Sequence, residues 1–192
     1  PFWMNAAEVA FLKAEAKAVF GFDMGSGSAE DFYNEGIRLS FEQWGVSGYE
    51  SYIAQSSAPQ IVYIDPNNGK DTYSNTLSTT SVAWKTGTPE EMQERIITQK
   101  WIAIFPLGIE AWSEYRRTGY PRLLPVVENK SGGTVDVAQG ARRLPYPVEE
   151  YQQNNANLQL AIQTLDGEQQ NGNRTGDVMG TRVWWDCKSY NN

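Results

Sequence analysis

The chain has 192 residues, 16 Lys and Arg against 23 Asp and Glu for a formal net charge of −7, no histidine and one cysteine. That excludes Ser-His-Asp and Cys-His nucleophiles, imidazole metal ligands, an intrachain disulfide and cysteine-based zinc sites. The acidic balance argues against nucleic acid as a partner, which needs a clustered basic surface, while carboxylate or lysine chemistry, oxygen-ligated calcium and pure binding stay open. With 7 Trp, 10 Tyr and 7 Phe in a chain only 40% hydrophobic, large rings replace aliphatic side chains, either to fill the core or to stack on ligands.

No run approaches 18 apolar residues, so no membrane-spanning helix is predicted, and no basic stretch leads into an apolar one as a signal peptide would. The opening Pro1-Phe2-Trp3-Met4 runs straight into a helix, which suggests a chain cut from something longer. The first helix covers about 4 to 20, with Ala7, Ala10, Phe11, Ala14 and Ala18 at three- and four-residue spacing. So many alanines on one face permit close helix–helix approach. Gly21 ends it and Ser28 caps the next, whose first turn carries Glu30 and Asp31 where the helix dipole favours them. That second helix stops at Gly45, so 4–44 reads as an antiparallel helix pair.

Residues 49–56 suit a short third helix, broken by Pro59, and 57–88 reads as a long, turn-rich loop excursion of a kind often kept for function. Thr88-Pro89-Glu90-Glu91 is a strong start, with Thr88 as N-cap, proline in the first turn and Glu91 closing a capping box. A long helix over 89–119 follows, with Ile96, Ile97, Lys100, Trp101, Ile104 and Phe105 on its inner side. Pro106 and Gly108 must kink or interrupt it before Gly119 ends it. The remainder, 120–192, is loop-rich. It has a turn at Ser131-Gly132-Gly133 between two short strand-like pieces, and one helix near 154–165 with Leu158, Ala161, Ile162 and Leu165 inward. The fold class expected is mostly α.

Three segments carry a family likeness. "IITQKWIAIFPLGIEAWSEYRRTGYPRL" resembles a signature of the SusD/RagB-like lipoproteins, the surface glycan-binding partners of outer-membrane TonB-dependent transporters. "RRLPYPVEEYQQNNANLQLAI" and "VWWDCKSYNN" resemble the segments that follow it, and "NAAEVAFLKAEA" the helix that opens the later part of those proteins. The likeness runs in order from residue 3 to 187. It implies a C-terminal fragment of a SusD-like protein over 1–192, with 4–44 as a tetratricopeptide-like helix pair. It also implies non-catalytic binding of oligosaccharide or polysaccharide at the outer surface of the bacterial outer membrane, and delivery to a SusC-like TonB-dependent transporter. The membrane would be reached only through a lipid anchor in the missing N-terminal part. Cys187 stands at the wrong end, with no lipobox, to be that anchor.

Sugar binding needs a flat ring under the apolar face of a pyranose and planar polar groups for its hydroxyls. The 57–88 excursion supplies Tyr63, Tyr73 and Trp84 interleaved with Asp71 and Asn75, and these five are the candidate glycan ligands. The competing reading is that the rings anchor the loop on the helices. The family fixes no ligand residue here, since those positions vary between members. Trp101, Trp112, Trp184 and Trp185 are expected to hold the fold, and Arg116, Arg117, Arg142 and Arg143 to form ion pairs and caps rather than a polyanion site. Asp65-x-Asn67-x-Gly69-x-Asp71 spaces oxygen ligands as calcium loops do, but its glycine is one place early and no later Glu follows, so a plain turn is expected. No cofactor or metal is implied. Glu110 and Glu114 beside Trp112 invite a helical glycoside hydrolase or lyase, yet carboxylates stacked on one helix near Arg117 suit a salt-bridged surface better. A tetratricopeptide-like protein-interaction module is the other alternative.

Overall fold

The structure, a computed structural model, describes residues 3–59, 61–67, 69, 72–75, 77–124, 126, 128–137, 139–167, 175–186 and 188. Among them it has seven helices: α1 (Ala6–Ala18), α2 (Ala29–Trp44), α3 (Tyr49–Ile53), α4 (Pro89–Ala103), α5 (Gly108–Thr118), α6 (Val148–Gln153) and α7 (Asn155–Gly167). Two strands, β1 (Ile61–Ile64) and β2 (Thr72–Asn75), make a small antiparallel sheet, so the protein is mostly α-helical. None of the described helices is long and apolar enough to cross a membrane. The chain forms two compact units, Pro1–Leu124 and Pro125–Asn192.

In the first unit the alanine face of α1 does what its spacing predicts. Ala7, Phe11 and Ala14 are buried against Tyr33 and Ile37 of α2. Lys13 sits over the Phe32 ring, Phe11 meets Tyr33 edge-on at 6.1 Å, and the Phe11 ring lies against Gly36. As the number falls along α1 it rises along α2, so the pair is antiparallel. The predicted capping box of Thr88 with Glu91 forms, and Ser28, expected only as an N-cap, makes a second one with Asp31. Gly45 and Gly119 close their helices in the left-handed conformation that glycine adopts without strain.

Among its described residues the 57–88 segment is not all loop. Its first part is the β1–β2 hairpin. Its last part is tied to the helices: the Tyr33 hydroxyl donates to the Val82 carbonyl at 2.6 Å, and Arg95 donates to the Ser81 and Lys85 carbonyls.

The long helix over 89–119 is two helices, with residues 104–107 between them. Ile96, Ile97, Lys100 and Ile104 are buried as expected, but Trp101 and Phe105 are exposed. From Ile97 onward the buried positions fall within an arc of about 160°, and Trp101, Ile102 and Phe105 occupy the opposite one. The expected inner side was too wide.

The second unit is built on ions rather than oil. Among its described residues Leu158 alone is a buried hydrophobic, whereas Arg142, Arg143, Thr181, Arg182 and Asp186 are buried polar ones. Arg142 donates to both carboxylate oxygens of Asp186 at 2.7 and 2.6 Å, the bidentate geometry that offsets desolvation best. Gly132 and Gly133 make the expected turn with positive φ, followed by an isolated bridge between Asp136 and Gly140 instead of strands. The predicted last helix is α7, preceded by the unforeseen α6. Trp112 and Trp185 are half-buried, but Trp184 is 72% exposed, so its ring lies largely outside the packing expected of it.

Candidate functional site

The hairpin brings two of the candidate rings together. Its register pairs Ile61 with Asn75, Val62 with Ser74, Tyr63 with Tyr73 and Ile64 with Thr72. Directly opposed residues on an antiparallel pair share a face with Cβ atoms about 5 Å apart, so Tyr63 and Tyr73 stand opposite each other on one face of the hairpin. Tyr63 is 41% exposed, and Val62 and Ile64 on the other face are more exposed still. Both faces of β1 therefore meet solvent, and the ring pair is reachable.

The turn explains why the oxygen-rich run does not need a metal to fold. Asp65 Oδ1 accepts from the Asn67 N–H at 2.6 Å and the Asp65 carbonyl accepts from the Gly69 N–H at 2.9 Å, a self-satisfied Asx turn. Asn75 occupies the register position opposite Ile61. Asp71, and Cys187 at the far end, lie outside the described residues. Trp84 is placed elsewhere from the ring pair's register: half-buried, it packs on the helix-pair core with its ring 5.2 Å from Tyr33.

The glutamates beside Trp112 belong to a buried ionic cluster. Lys100 Nζ, almost wholly enclosed, lies 3.4 Å from Glu8, 3.1 Å from Glu110 and 3.3 Å from Glu114. Arg117 bridges Glu15 and Glu114 at 2.7 and 2.9 Å. Burial alone would raise the Glu114 pKa, but the hydrogen bond from Arg117 and the charge of Lys100 outweigh it, leaving it below its ordinary value. A general acid needs the opposite shift. Glu8 does go up, chiefly through burial, with Lys100 opposing. Sequence reading put Lys100 inside but missed Glu8 and Glu15. Their signal was two acids seven apart on an alanine-rich helix, hence on one face.

This cluster floors an open cavity of about 430 Å³. A second cavity of about 440 Å³ is almost entirely apolar, lined by Phe41, Trp44, Val46, Tyr52, Ile102 and Phe105 among others. Three of the four arginines make the expected ion pairs, and the fourth is seen stacked on a ring. Arg117 bridges acids, Arg142 pairs with Asp186, Arg143 pairs with Asp177, and Arg116 stacks 3.6 Å over the Trp112 ring. Among the described residues no group of three or more carboxylate or cysteine side chains is placed to hold a metal ion.

The sequence model of the SusD-like family, described as the SusD and RagB outer membrane lipoproteins, matches residues 1–186. Among solved structures, a SusD homologue from Bacteroides uniformis is 55% identical with a TM-score of 0.85, over 97% of this chain and 37% of that one. One from Bacteroides thetaiotaomicron is 50% identical with a TM-score of 0.86, over 98% and 39%. A chitin-binding SusD homologue from Flavobacterium johnsoniae is 44% identical with a TM-score of 0.82, over 97% and 36%. A comparison with curated protein sequences gives no match. The chain thus spans well under half the length of these relatives. With a family match over nearly its whole length and this level of identity, the chain belongs to the SusD-like family of outer membrane lipoproteins.

Proposed function

We propose that this chain is part of a non-catalytic lipoprotein that binds oligosaccharide at the outer surface of the bacterial outer membrane and passes it to a SusC-like TonB-dependent transporter. The observation that carries the reading is the chitin-binding homologue, 44% identical along 97% of this chain. Tyr63 and Tyr73, opposed across the hairpin, supply the ring platform on which a pyranose face stacks, with Asn75 and Asp71, each two residues from Tyr73 in the sequence, to take hydroxyls. Trp84, packed on the helix-pair core, is a candidate ring outside this platform. The lipid anchor belongs to the full-length protein. Binding without chemistry is supported by Glu114, which is held ionised between Lys100 and Arg117 instead of facing a partner carboxylate across a cleft.

The test is affinity electrophoresis against soluble polysaccharides and chitin oligosaccharides, with assay of the same mixtures for new reducing ends and unsaturated products. Retarded migration with at least one glycan and no products is the expected outcome. Products would restore the hydrolase or lyase reading through Glu110 or Glu114. Failure to bind any glycan would refute the proposal.

A further inference from the structure

Between α1, α4 and α5 the chain gathers more acid than base. Four carboxylates, Glu8, Glu15, Glu110 and Glu114, share two cations, Lys100 and Arg117. With every group ionised the cluster carries an excess of negative charge, and that excess is unevenly met. Glu114 takes two hydrogen bonds from Arg117, and Glu15 takes one from Arg117 and one from Gln93. Glu110 keeps 40% of its side chain in solvent. Glu8 has neither compensation. It is 2% exposed, its ion pair is with Lys100 at 3.4 Å, and its Oε2 has no hydrogen-bond partner, the one such buried side-chain atom among the described residues.

Lys100 does not serve Glu8 alone, since it also lies 3.1 Å from Glu110 and 3.3 Å from Glu114. The charged groups that face Glu8 are Lys100 of α4 and Glu110 of α5, the latter within hydrogen-bonding reach of it. Glu15, Glu114 and Arg117 complete the cluster behind them. The helix α2, which packs on α1, keeps Arg38 paired with Glu35 and Glu42 on the surface. Two carboxylates this close repel when both are ionised, and one proton between them turns the repulsion into a hydrogen bond. Burial penalises charge most at Glu8, so Glu8 is the acid and the partly solvated Glu110 the acceptor.

We propose that Glu8 keeps a proton above the pH at which an exposed glutamate loses it and donates it to Glu110, forming a pH-dependent latch between α1 and α5. Every group in the latch belongs to this chain and none lies on the hairpin, so the inference stands apart from glycan binding and uses no open apolar surface. Burial pushes the Glu8 pKa up, and Glu110 adds to the rise while Lys100 opposes it. A carboxyl whose folded pKa is raised contributes stability that is complete below its unfolded value and is lost as pH rises through the folded one. The latch therefore holds in acid and loosens as pH rises.

The test follows the infrared carbonyl stretch of protonated carboxyls as pH rises from about 4 to about 8, across the range where exposed carboxylates ionise, and measures urea unfolding over the same range. One carboxyl is expected to stay protonated after the others have ionised, and Glu8→Gln should remove it. Because glutamine mimics the protonated acid, the unfolding midpoint of the parent should fall relative to that of Glu8→Gln as pH rises above 4.5. Glu110→Gln, at a partly solvated position, takes away the facing charge and should shift the loss of the late carboxyl to lower pH. It decides the matter should Glu8→Gln fail to fold. Carboxyls that all ionise together, a late carboxyl that survives in Glu8→Gln, or one whose titration Glu110→Gln leaves unmoved would overturn the proposal.

Discussion

Gly36→Ala puts a methyl group where α1 already stands. In an open helix interior this change would stabilise by about 1 kcal/mol, because alanine is the better helix former. Here a Cβ at position 36 would lie 2.8 Å from Cε1, Cε2 and Cζ of Phe11, against about 3.5–4.0 Å for carbon atoms in ordinary contact. The ring would have to retreat by about 1 Å, yet Phe11 is buried and packed edge-on against Tyr33, whose hydroxyl holds Val82. Overpacking of this kind costs about 1–3 kcal/mol, so after the gain in propensity the net effect should be a loss of up to about 2 kcal/mol. Removing the obstacle should reverse the sign. In a Phe11→Leu background, Gly36→Ala should stabilise by about 0.5–1 kcal/mol. Urea unfolding followed by far-UV circular dichroism measures all four members of the cycle. A rise in midpoint for Gly36→Ala alone, or the same change in both backgrounds, would refute the close-approach account of the α1–α2 pair.

In the second unit, Asp186→Asn strips the fully buried Arg142 of its counter-ion and should cost about 3–5 kcal/mol in denaturant unfolding, while Arg142→Met with Asp186→Leu should cost much less. Burial alone would raise the Asp177 pKa, but hydrogen bonds from Tyr151, Arg143 and the Tyr146 N–H prevail and hold it below the usual 3.8. A depressed carboxylate contributes stability above its unfolded pKa and loses it as pH falls through the folded one. Asp177→Asn should therefore be less stable near neutrality and show a flatter decline below pH 3.8. By contrast Arg38, on the surface with Glu35 and Glu42, should be replaceable by Gln with little loss of stability, and with none in high salt.

What the sequence reveals here is what neighbours decide. Helix starts and stops are local, so Ser28, Thr88, Gly45 and Gly119 were readable from the residues themselves. The alanine face of α1 was readable for the same reason: its period is written along a single helix. Burial on α4 was only half readable. Periodicity locates the centre of the buried face but not its width, and Trp101 and Phe105 fell outside it. The ionic core was illegible because its partners are distant in sequence. Glu8 and Lys100 come from different helices, and Arg142 and Asp186 from loops 44 residues apart. The candidate site divides in the same way. The ring-rich 57–88 segment stands out in composition, but that Tyr63 faces Tyr73 depends on strand register, while Trp84 is drawn onto Tyr33 by a helix pair that its own neighbours do not announce.

The most direct test of glycan binding at the hairpin is a titration of the chain and its Tyr63→Ala/Tyr73→Ala variant with a chitin oligosaccharide, the ligand class of the 44% identical homologue. Both rings stand on a partly solvated sheet, so the variant should fold as the parent does, by circular dichroism. Each ring lost should cost about 0.5–1.5 kcal/mol of stacking, and the double variant should bind about tenfold or more weakly. A parent that binds the oligosaccharide and a variant that binds it equally well would contradict the hairpin platform.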